Sequence, residues 1–186
     1  MRLFIGVFID DDTIVELQAL QKQLEAQSYK GTFTRPRNLH LTLAFLGETP
    51  EGRLADLHRI IEEIDSLAFE LCFNRTGCFT HSKKELWWVG ADREDPHLPL
   101  LKSLHHRLLT RFEEEGFPVD KRPFNAHITL AREVRHTQPI ELDCKEIRVK
   151  VDRLSLIKSE RVNGVLSYTE IYGKIFPAGV AEWQTQ

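Results

Sequence analysis

Two nine-residue stretches carry the side chains best suited to chemistry. Residues 35–43 read R-P-R-N-L-H-L-T-L and residues 122–130 read R-P-F-N-A-H-I-T-L, identical at six of nine positions at a spacing of 87. Each contains a His-x-Thr, His40 with Thr42 and His127 with Thr129. Side chains two apart on a strand share a face. Each imidazole therefore shares its face with a hydroxyl, and with Ala44 or Ala131, while Leu39, Leu41, Leu43 and Phe45, or Ala126, Ile128 and Leu130, take the apolar face. Two copies folded as related lobes would gather two imidazoles and two hydroxyls around one small ligand.

That set suits proton transfer. Imidazole titrates near neutrality, so one ring can be neutral while the other is protonated. One then takes a proton from a nucleophile and the other gives one to a leaving oxygen. Hydroxyls between them can donate to a phosphoryl oxygen as charge grows on it. A strained cyclic phosphate is a target such a site can open unaided, whereas an unstrained phosphodiester usually calls for a metal. Zinc is the competing reading, but it wants three or four His, Cys or carboxylate ligands. Neither motif has an Asp, Glu or Cys within two residues, so the expectation is no metal and no cofactor.

Other candidates flank the motifs. Arg132 could hold a phosphate, although strict alternation puts it on the Leu130 face, away from the cleft unless a bulge turns it. Arg35 and Arg122 occupy equivalent places and, with Arg37 and Lys121, form two basic spots that could steer a phosphate. Trp87 and Trp88 must face opposite sides, leaving Trp88 to stack a terminal base. Phe45 reads as packing, and the other six histidines as surface or structural.

The elements that must position these residues are also legible. Residues 3–9 form a continuous apolar run, expected as a buried strand. Acidic residues at 10–12 then open a helix with Ile14, Leu17, Leu20, Gln21 and Leu24 on one stripe. Residues 39–46 read as a strand, and a helix beginning near Pro50 carries Leu54, Leu57, Ile60, Ile61 and Ile64. Residues 68–80 and 86–91 read as strands, 97–115 as a helix and 126–132 as a strand. Residues 144–158 and 166–176 alternate about Asn163-Gly164, a hairpin signal. Both motif strands follow a strand and then a helix. The class is α+β with mostly antiparallel pairing, in one domain spanning residues 1–186 and built as two intertwined lobes.

Composition bounds the partners. With 25 Lys and Arg against 28 Asp and Glu, the formal charge of −3 excludes a general electrostatic coat for nucleic acid. No apolar run approaches the roughly 20 residues of a membrane helix. Three scattered cysteines without CxxC spacing suit a reducing cytoplasm. A cytoplasmic monomer with no membrane contact and no obligatory protein partner is expected.

The paired motifs resemble the H-x-T-x motifs of the two-histidine phosphoesterases. The extended forms, N-L-H-L-T-L-A-F-L-G at 38–47 and R-P-F-N-A-H-I-T-L-A-R at 122–132, are similar to the RNA 2′,3′-cyclic phosphodiesterase branch, also called 2′-5′ RNA ligases. The F-I-G-V-F-I start and the segment from Phe79 to Gly90 fit that branch too. The resemblance implies a bilobal fold in which two antiparallel sheets line a central cleft, with helices outside and a pseudo-twofold repeat. It implies opening of 2′,3′-cyclic phosphates on RNA ends or nucleotides to 2′-phosphates, or, through the same site, 2′-5′ ligation. A module that grips phosphorylated nucleotides or RNA ends without turnover is a further alternative, although it has no need of two titrating groups. It further implies His40 as proton donor, His127 as proton acceptor, and Thr42 and Thr129 as holders of the phosphoryl oxygens. One departure stands out: Asn125-Ala126 precedes the second motif where many members have His-Pro, which bears on how that strand enters the cleft.

Overall fold

Residues 3–7 are all buried, which encloses β1 (Arg2–Phe8) on both faces. The computed structural model describes residues 1–81, 84–120 and 122–179, so Lys121 lies outside the described residues. Strands β2 (Lys30–Phe33), β3 (His40–Glu48), β4 (Phe69–His81), β5 (Lys84–Ala91), β6 (His127–Arg135), β7 (Ile147–Val151), β8 (Arg153–Val162) and β9 (Val165–Ile175) join it in one curled sheet. The order is β7-β4-β5-β6-β3-β1-β8-β9, with β2 also on β6, and the pairs between these strands are antiparallel.

The two expected sheets are the halves of this one sheet. They meet between β3 and β6 at the pair Leu41↔Ile128. Those positions are 87 apart, the repeat spacing, so an antiparallel pair between equivalents sets a local twofold there. The first half is β3-β1-β8-β9 and the second β6-β5-β4-β7. The segment 144–158, expected as one strand, is two. The chain leaves β7 on β4, passes Asp152, and enters β8 on β1 in the other half. The hairpin between β8 and β9 turns at Asn163 (φ 51°) and Gly164 (φ 78°), both in the left-handed region that a two-residue turn of this kind requires.

Helices α1 (Asp11–Ala26), α2 (Leu54–Glu63) and α3 (Leu98–Glu114) cover the sheet. The Asp10 carboxylate caps α1 by accepting from the Thr13 amide at 2.9 Å. The inner stripe of α1 is Thr13, Leu17, Leu20, Gln21 and Leu24; that of α3 is Leu98, Leu101, Leu104, Leu108 and Phe112. Burying each large apolar side chain contributes about 1.5–3 kcal/mol. Helix α1 packs on β6 and β7, whereas α3 packs on β3, so each helix covers the half that the other helix's own strands build. Among the described residues, no helix is long and apolar enough to cross a membrane.

Candidate active site

Both motif strands bulge twice, at equivalent residues. In β3 the pairs Gly6↔Thr42 and Ile5↔Ala44 leave Leu43 extra, and Phe4↔Phe45 with Leu3↔Gly47 leave Leu46 extra. In β6 the pairs Trp88↔Thr129 and Trp87↔Ala131 leave Leu130 extra, and a second slip comes before Glu85↔Val134, where Glu133 takes φ 55°. A bulge shifts the alternation by one and re-aims the side chains beyond it. Leu43 and Ala44 are both buried, as are Leu130 and Ala131, so Ala44 and Ala131 do not share the imidazole face as alternation implied. Phe45 and its equivalent Arg132 turn outward instead. Phe45 is 52% exposed and packs its ring 6.3 Å from Phe4, itself 4.9 Å from His40. Arg132 stands close enough to bear electrostatically on both imidazoles. The placement of Phe45 in the core and of Arg132 away from the cleft, both derived from strict alternation, is corrected by these bulges.

The Leu41↔Ile128 pair also fixes the four predicted side chains. One step either way, antiparallel register sets His40 across from Thr129 and Thr42 across from His127. The histidines occupy one diagonal of this square, where backbone positions lie about 7–8 Å apart. Both rings are pinned alike: Nδ1 of His40 is 2.6 Å from the Asn38 carbonyl, and Nδ1 of His127 is 2.7 Å from the Asn125 carbonyl. A carbonyl only accepts, so Nδ1 carries the proton in each ring and donates it. Nε2 is left for a ligand in both. Among the described residues, the Thr42 and Thr129 hydroxyls have no hydrogen-bond partner and Arg132 has no ion-pair partner.

Aromatic rings wall each imidazole. Tyr168 meets His40 edge-on at 5.0 Å, and Phe79 meets His127 edge-on at 5.3 Å, with Trp88 at 6.3 Å. Burial lowers the His40 pKa to about 4, and Arg132 and His127 push it in the same direction against the Asn38 hydrogen bond. Burial likewise lowers His127 below its usual 6.5, again with help from Arg132 and against Asn125. Both rings are therefore neutral at pH 7, not one neutral and one charged as their ordinary pKa suggests.

The remaining candidates separate. The Arg35 guanidinium and the Asn38 amide both donate to the Leu166 carbonyl, tying the first motif to β9. Arg122 is paired with the Asp120 carboxylate at the surface. Both arginines thus have protein partners of their own. Trp87 and Trp88 do face opposite sides: Trp87 donates to Glu85, and Trp88 lies beside His127. Trp88 is only 9% exposed, however, and the open ring on that wall is Phe79, 44% exposed and 5.5 Å away. Sequence reasoning missed Phe4, Phe79 and Tyr168 as members of the site. Among the described residues, no group of three or more His, Cys, Asp and Glu is placed to hold a metal ion.

The Trp88 indole lies against two glycines. A Cβ on Gly77 would come within 2.6 Å of Trp88 Cζ2, and one on Gly90 within 2.8 Å of Trp88 Cζ3. Gly77→Ala is expected to cost about 1–3 kcal/mol by overpacking, read as a lower melting temperature. A variant that melts with the unaltered protein would show that the indole has room to shift.

A family model for the 2'-5' RNA ligase superfamily matches residues 9–163. An RNA 2′,3′-cyclic phosphodiesterase of Archaeoglobus fulgidus is 32% identical over 133 residues, 71% of this chain and 72% of the relative. Another, from Thermotoga maritima, is 24% identical and aligns with 98% of this chain and 100% of its own. The crystal structure of E. coli LigT in apo form matches with TM-score 0.81 at 25% identity, over 95% of this chain and 97% of that one. A Thermus thermophilus protein matches with TM-score 0.80 at 26% identity, over 96% and 99%.

Proposed function

The chain belongs to the 2'-5' RNA ligase superfamily, and on that premise we propose that it is an RNA 2′,3′-cyclic phosphodiesterase that opens terminal cyclic phosphates to 2′-phosphates. The observation that carries this reading is the diagonal pair of imidazoles, each with Nδ1 spent on a backbone carbonyl and Nε2 free. Relatives bearing that activity by name support it.

His127 Nε2 takes a proton from water as the water oxygen bonds to phosphorus. The P–O3′ bond breaks, and His40 Nε2 supplies the proton that O3′ needs. The phosphate stays on O2′. The rings end with their protonation exchanged and reset through solvent. Thr42 and Thr129 donate to the non-bridging oxygens, and the Arg132 guanidinium neutralises charge gained at the phosphoryl group. In the free protein His40 is neutral; an anionic phosphodiester beside it raises both imidazole pKa values and restores the acid. The ring strain of the five-membered phosphate supplies reactivity that a metal would otherwise provide. The working unit is a cytoplasmic monomer without cofactor, and three free cysteines support a reducing compartment.

A 2′,3′-cyclic nucleotide assay in the presence of EDTA tests this. Turnover is expected to survive chelation. The bell of kcat/KM against pH reports the free protein, so lowered imidazole pKa values centre it below pH 6.5. The kcat bell lies at higher pH because the substrate anion lifts both groups. Activity abolished by EDTA, or a kcat/KM optimum above pH 8, would overturn the reading. The same groups in the same roles, with an RNA 5′-hydroxyl in place of water as the nucleophile, would form a 2′-5′ linkage as O3′ leaves, so the assay also scores this second activity.

A further inference from the structure

We infer that Gln21 is a positioning residue for Arg132, a side chain outside the cleft that fixes where the guanidinium stands. The inference rests on the phosphodiesterase reading for its kinetic consequences, though not for its geometry. Gln21 sits on the inner stripe of α1 and is 8% exposed. Its Nε2 donates to two carbonyls, that of Thr34 just beyond β2 at 2.7 Å and that of Leu130 on β6 at 2.8 Å. Leu130 is the extra residue of the first β6 bulge, and its carbonyl also accepts from the Thr34 amide at 2.9 Å. Thr34 immediately precedes the first motif, and Leu130 closes the second. One buried amide therefore ties the entry of one repeat copy to the bulge of the other.

The bulge is what turns Arg132 toward the imidazoles. With no carboxylate partner among the described residues to anchor it, that guanidinium depends on the path of its backbone. A bulged residue lacks a ladder partner on one side, so the path through Leu130 needs a further constraint, and Gln21 supplies it. The contrast with the other half supports this. The position 87 residues on, in α3, is Leu108, fully buried, and the side chain re-aimed by the β3 bulge there is the uncharged Phe45.

Gln21→Met keeps the length and packing but removes both donors. If Arg132 loses its place, kcat/KM for a 2′,3′-cyclic nucleotide falls on the order of 10- to 100-fold, as for misplacement by about an ångström. Both limbs of the kcat/KM profile move to higher pH, because a nearby cation lowers imidazole pKa values and its withdrawal lets them rise. In an Arg132→Ala background the same substitution adds no further pH shift. Gln23→Ala, which removes another side-chain bond from α1 to the backbone, at Asp143, leaves the profile unmoved. A Gln21→Met profile with unaltered limbs, or an equal shift in Gln23→Ala, overturns the inference. Should Gln21→Met fail to fold, the unaltered protein decides by NMR. Inorganic phosphate is expected to shift the Gln21 side-chain amide together with Arg132 Nε–H, and an unmoved Gln21 beside a shifted Arg132 overturns the coupling. That titration stands even if no cyclic phosphate is opened, an outcome that would fell the phosphodiesterase reading alone.

Discussion

His127→Ala and His40→Ala are each expected to open a 2′,3′-cyclic nucleotide about 10²–10⁴-fold more slowly than the unaltered protein, with the loss in kcat. Each ring has one nitrogen held by its own backbone, so its removal deletes the proton carrier and little else. Both side chains are only partly buried. Binding of a 3′-nucleotide should therefore persist, because the hydroxyls and Arg132 remain. The two losses should also overlap. A double variant loses far less than the product of the single effects, as groups acting in one step do. Single-turnover kinetics on the three variants would check this, and near-native turnover by either single variant would end the acid–base assignment.

Arg132→Ala is the second large effect, expected to lower kcat/KM about 10²–10³-fold, the range for a lost charge-stabilising donor. Its pH signature separates it from a binding defect. Arg132 is among the causes that lower both imidazole pKa values. Each imidazole is favoured in its neutral form by the nearby cation, so removing the cation raises both pKa values toward 6.5 and moves both limbs to higher pH. Arg132→Lys keeps the charge without the fork, so it should hold the limbs while recovering only part of the rate. Limbs that stay in place in Arg132→Ala would mean that the guanidinium does not face the rings.

The sequence alone yields the proposed acid–base pair because a repeat removes the ambiguity of a lone histidine. His40, Thr42, His127 and Thr129 fall on one face by the period-two rule, and no later feature of β3 or β6 disturbs them. The rule fails one residue further on. Leu43-Ala44 and Leu130-Ala131 are apolar doublets in both copies, and both members are buried. Two adjacent inward residues are what a bulge requires, and their recurrence at a spacing of 87 was the available signal for Phe45 and Arg132. The break at Asp152 left only a faint trace, two successive polar residues, Asp152 and Arg153, between the alternating stretches 147–151 and 154–156. Short β2 carried none. The walls formed by Phe4, Tyr168 and Phe79 come from strands distant in sequence, and the lowered imidazole pKa values depend on burial, which no local pattern encodes. Arg35 looked like a phosphate ligand because its target, a carbonyl 131 residues away, has no sequence signature.

The crossing at Asp152 has a consequence for how the polypeptide comes to be folded. Strands β1 and β3 emerge early in synthesis, but β8, which pairs with β1, and β9, which pairs with β8, are made last, and β6, which carries His127, lies between β3 and β5. Neither imidazole can be seated while much of the chain is still on the ribosome. Assembly of the His-Thr square is thus expected to follow synthesis, with the long search that contacts remote along the chain impose. A gene cut between the two copies would yield fragments that each hold elements the other needs, because β8 completes the sheet beside β1 while α1 covers β6 and β7.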